Sequence, residues 1–185
     1  MSGKRIPPGW LVAVLLVVSG LLWAVMFFGT LAHLQLLAGG AASFDLRPLG
    51  YSYQEAKALL AAIGEAGRAY YLNPQLVLDT FYPPLYALSR ALALWWLTAP
   101  GRLYAGPVPS RWRWTLVAIP IVMACFDGVE NVSIARMLWT WPDLSPDLVQ
   151  VASLATRLKF IAGALTEISM AALALAALSR WLLSR

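Results

Sequence analysis

Asp127, Glu130 and Asn131 stand at positions i, i+3 and i+4 within an otherwise apolar stretch, so a helix there puts all three side chains on one face. Two carboxyl groups sharing a face inside apolar surroundings can act as general acid and base, pass protons, or hold a cation. Asp79 sits in a second such pattern with Gln75, Tyr82 and Tyr86. A third joins Thr156, Lys159, Gly163, Thr166 and Glu167, and a fourth Ser19, Trp23, Phe27, Thr30 and His33. A charged group at the centre of a membrane helix costs about 2.5–3.5 kcal/mol on insertion scales, so such groups turn toward the interior of a bundle and mark candidate sites. Asp127, Glu130 and Glu167 are the candidate catalytic groups. Asp79, Tyr82, Tyr86, Asn131, Lys159, Thr166 and His33 are the candidate ligand contacts.

The elements that position them follow from composition. Of the 185 residues, 60% are hydrophobic and 12% charged, against about 45–50% and about 25% in soluble domains. The chain reads as an all-α membrane protein, a single integral membrane domain over residues 1–185. A four-transmembrane-helix bundle is expected, with spans at about 10–37, 74–98, 114–141 and 146–183. The first is too long for a signal-peptide core and is read as a retained span. Between the first two, Ser52-Tyr53-Gln54-Glu55 forms a capping box that opens an amphipathic interfacial helix over about 52–71. Asn73-Pro74 supplies a cap and a first-turn proline for the second span. Pro83 and Pro84 interrupt that span and deprive the carbonyls of Asp79 and Thr80 of helical partners, so a kink is expected. The Pro- and Gly-rich stretch 99–110 reads as a stiff loop. Ser145-Pro146-Asp147 repeats the cap and proline signal for the fourth helix.

With Arg113, Trp96 and Arg180 as inner anchors, Asp79, Asp127, Glu130, Lys159 and Glu167 lie about 20–32 Å above them at ~1.5 Å per residue. All fall in the outer part of the bilayer core. Lys4, Arg5, Arg102, Arg111, Arg113, Arg180 and Arg185 gather on the side of the two termini, and Arg47, Lys57 and Arg68 on the other. The positive-inside rule then sets both termini in the cytoplasm, across a plasma membrane or bacterial-type inner membrane. The tryptophans near the span ends form interfacial belts.

Four acids facing one lysine in low dielectric cannot all stay ionised unless a cation lies among them. An outward-opening, carboxylate-rich pocket is therefore expected, one that binds a lipid-like or amphipathic small molecule and modifies it by acid/base chemistry. A small proton- or cation-coupled transporter and an assembly subunit with structural ion pairs are the alternatives. Membrane lipids are expected partners, and the small residues of the fourth helix, among them Gly163, Ala164, Ala171 and Ala172, suit packing within the chain or in a homo-oligomer. One cysteine and one histidine exclude an internal disulfide, a dithiol redox pair, cysteine-based zinc sites and multi-histidine centres. The basic residues lie at the ends of apolar runs rather than on one solvated face, which argues against nucleic acid. Walker, dinucleotide-binding and nucleophile-elbow signatures are absent from the sequence, and no cofactor or metal is expected.

Overall fold

The computed structural model describes residues 6–99 and 108–183. Lys4, Arg5, Arg102, Arg185 and most of the proposed stiff loop lie outside the described residues. Those described are helical with no strands. Helix α1 covers Gly9–Leu37 and contains a π-helical turn at Met26–Leu31. After a short turn at Phe44–Leu46 come α2, Tyr53–Ala62, and α3, Gly64–Tyr70. A second π turn, Tyr71–Gln75, leads into α4, Leu76–Leu97. Helices α5, Ser110–Thr140, and α6, Pro146–Leu183, complete the chain.

Local chemistry accounts for most of these boundaries. Helix α2 begins at the expected capping box: the Glu55 amide donates to Ser52 Oγ at 3.2 Å, and the Ser52 amide to Glu55 Oε2 at 2.7 Å. The Glu55 carboxyl is held below its usual range by the hydrogen bonds it accepts from the Ser52 amide and hydroxyl. Ser145 Oγ likewise accepts from the Leu148 amide at 3.4 Å where α6 starts.

Two expectations need correcting. The amphipathic stretch 52–71 is two helices, broken at Gly64, whose φ of +64° is costly for residues with a side chain. The second span does not start afresh at Asn73-Pro74. Asn73 Nδ2 bonds back to the Ala69 carbonyl at 2.8 Å, and Pro74 is absorbed in the π turn, where the i to i−4 ladder is already interrupted. Pro83 and Pro84 sit inside a helix that continues to Leu97. The carbonyl that Pro83 leaves unbonded, that of Asp79, accepts instead from Asn131 Nδ2 of α5 at 2.9 Å.

Helix α4 packs along α1 and α5, and α5 along α6, whereas among the described residues α1 and α6 do not pair along their length. The core lies at one end, where α2, α3 and the preceding loop roof the ends of α1 and α5 and the start of α6. Phe44, Tyr51, Leu59, Leu60, Tyr71 and Ile134 are buried there. Elsewhere large apolar side chains point outward, including Val17, Leu21 and Val25 on α1 and Leu154, Ile161 and Ile168 on α6. Apolar surface on this scale calls for a lipid environment. Helices α1, α5 and α6 are long and apolar enough to cross a membrane.

Candidate functional site

Beneath the roof, α5 and α6 face each other through a buried ion cluster. The Lys159 ammonium donates to Asp127 Oδ1 at 3.2 Å and is ion-paired with Glu130 Oε2. The remaining oxygens are also engaged. Tyr86 of α4 donates its hydroxyl to Asp127 Oδ2 at 2.9 Å, and Thr156 Oγ1 lies 2.6 Å from Glu130 Oε1. The helical spacing that puts Asp127 and Glu130 on one face of α5 also lets a single lysine reach both. Burial makes that sharing necessary, because an uncompensated charge there would cost several kcal/mol.

A second acidic group lies beside the first. Asp45, in the short turn before α2, accepts the hydroxyl of Tyr71 through Oδ2, and its carboxyl neighbours that of Asp79. Burial pushes the Tyr71 phenol well above its usual range, with the nearby Asp45 charge adding to the effect, so Tyr71 is a fixed donor. Burial raises the Tyr51 phenol in the same way. The turn carrying Asp45 is held in place by Gly50. Its φ is +75°, and a Cβ there would stand 2.4 Å from both Ser153 Oγ and Arg157 Nε of α6. The Tyr51 amide next to it donates to Ser153 Oγ at 2.8 Å.

Asp45, Asp79, Asp127, Lys159, Gln75 and Tyr82 form the polar part of a cavity of about 450 Å³. Its other wall is apolar, made by Trp23, Met26 and Phe27 of α1 and by Met123, Phe160 and Gly163 of α5 and α6. The rings of Trp23 and Phe27 stack at 4.9 Å. The two π turns meet at this wall, where Thr30 donates to Gln75 Oε1. Each turn breaks the regular ladder next to the cavity, a placement common at functional sites. Because α1 and α6 do not pair, the cavity lies behind a gap between them. Lower in that gap Arg90 of α4 donates to Glu167 of α6 at 2.5 Å and to Ser19 of α1 at 3.2 Å.

The structure thus brings together Asp79, Tyr82, Tyr86, Asp127, Glu130 and Lys159. It does not bring Glu167 to them. Eight residues separate Glu167 from Lys159, which is about 12 Å along the helix and about 80° around it, and Arg90 engages it first. Thr166 bonds to its own helix, at the Ala162 carbonyl 2.9 Å away. His33 is exposed and lies against Tyr70, with ring centroids 4.5 Å apart. Asn131 serves the α4 backbone. Sequence reasoning missed Asp45 and Tyr71. Asp45 falls in the link before the capping box, where no helical spacing marks it; its neighbour Phe44 was the available signal that the link folds inward. Comparisons with protein-family models, curated proteins and solved structures find no match.

Proposed function

We propose that this chain is an integral membrane protein of four spans that binds a lipid-like amphipathic molecule in the cavity between α1, α4, α5 and α6. The observation that carries this reading is the division of the cavity, with carboxylates at one end and aromatic and aliphatic side chains along the other. Its volume, about 450 Å³, falls in the ~300–1,000 Å³ range of small-molecule sites. Helix α4 supplies the fourth span, its 22 residues being long enough for a ~30 Å core, with its polar groups turned to neighbouring helices. The excess of basic residues toward the termini supports cytoplasmic ends and a roof on the opposite side, so the gap opens in the outer leaflet of a plasma or inner membrane. In the acid/base reading, Asp127 is the acid that meets the bound molecule, because it lines the cavity between Lys159 and Tyr86. Glu130, fully buried behind it, holds Lys159 in place.

The test is retention of an amphiphile. Native mass spectrometry of the full chain released from nanodiscs should show a bound lipid-like species. Gly163→Leu should lose it while remaining folded, since the new side chain enters the cavity on the Met123 side. A wild-type protein that retains no amphiphile and takes up none on addition would refute the reading.

A further inference from the structure

The acids around the cavity divide into a satisfied group and an open one. Asp127 and Glu130 have their oxygens engaged by Lys159, Tyr86 and Thr156. Asp45 and Asp79 are neighbours on the cavity wall, and among the described residues neither is ion-paired. One further atom shows that the site is incomplete. Oδ1 of Asp45 is buried without a hydrogen-bond partner, on a residue 8% exposed that lines the cavity. A buried polar atom left unpaired is destabilising, and a bound group that pairs with it relieves that cost.

Lys159 is committed to the satisfied group, so when both open carboxyls are ionised their compensating charge comes from outside the chain. An ammonium fits this requirement: it carries one positive charge and three donors that can be divided between two carboxylates in charge-assisted hydrogen bonds. A metal ion fits poorly. Among the described residues no three of His, Cys, Asp and Glu are grouped to hold one. Hard cations also require six or more oxygen ligands, while the wall opposite the acids is hydrocarbon.

We propose that the molecule taken up is a long-chain amine, with its ammonium between Asp45 and Asp79 and its chain running past Trp23, Phe27 and Phe160 into the gap between α1 and α6. This rests on the amphiphile reading of the cavity and adds the chemistry of the head group.

Dodecylamine, dodecanol and dodecanoate share a chain and differ in the head, so their affinities for the full protein in nanodiscs of zwitterionic lipid isolate that chemistry. The amine should bind about tenfold or more tightly than either of the others, as expected when a charge-assisted pair replaces a neutral contact or a repulsion. Asp45→Asn should remove about that factor for the amine and leave the alcohol unchanged. If the alcohol or the acid binds wild type as tightly as the amine, the head-group assignment is overturned while the amphiphile site survives. If none of the three binds, both readings fall together. Should Asp45→Asn not fold, Asp79→Asn takes its place, and the three-probe comparison on wild type decides by itself.

Discussion

Two of the charged groups on helix α6, Lys159 and Glu167, stand about two turns apart and live in different regions. Lys159 lies under the roof of α2, α3 and the Asp45 turn, shared between Asp127 and a Glu130 side chain that is 0% exposed. Glu167 lies below, 56% exposed, and is held by Arg90 across the gap to α1. The upper cluster is buried, its oxygens engaged by Lys159, Tyr86 and Thr156, with one side on the cavity; the lower pair is a bar across an opening. The same residue types therefore do different work. In the roofed region each charge depends on its protein partners because burial removes the solvation that would replace them. In the gap a charge that loses its partner has room to turn elsewhere.

Lys159→Met should produce the largest effect. It leaves two buried carboxylates without their cation and should cost about 3–5 kcal/mol, or abolish folded yield. Chemical denaturation in detergent measures this, and a loss below ~1 kcal/mol would mean that the cluster is not a closed unit. Arg90→Met should cost about 1 kcal/mol or less by the same assay. A loss equal to that of Lys159→Met would erase the distinction between the two regions.

The smallest effect belongs to a third charge, outside both regions. Glu55 is fully exposed and its carboxyl is held below the normal range by the Ser52 amide and hydroxyl. A lowered folded pKa means that the carboxylate's contribution is present above the unfolded value and fades as pH falls through the folded one. Wild type should therefore lose a small part of its melting temperature on acidification below about pH 4 relative to Glu55→Gln. A difference of opposite sign would show that the capping box does not stabilise α2.

How far the site could be read in advance depended on whether the signal was local. Asp127 and Glu130 were legible because helical spacing alone puts them on one face, and Lys159 because an ammonium in an apolar helix requires acids nearby. The role of Asn131 was not legible. The orphaned carbonyl of Asp79 could be foreseen from Pro83, but the residue that satisfies it stands 52 positions away. Asp45 was hidden for the same reason: a polar link residue looks solvent-facing until the link is seen to fold under a roof held by the close contact of Gly50 with α6.

By itself the amino-acid sequence determined the all-helical class, the apolar segments long enough to cross a membrane, the capping box of α2 and the Ser145 cap of α6, and which acids share a helix face. These depend on intrinsic periodicity and on neighbours within about one helical turn. Only the tertiary structure decided which acids share a cavity, because two groups on one helix face can lie at different levels and meet different partners. It paired Glu167 with Arg90, gave Lys159 to Asp127 and Glu130, and brought Asp45 inward beside Asp79. Electrostatics inside a protein depends on distances of a few ångströms between elements remote in the chain, and no spacing within a single helix encodes them.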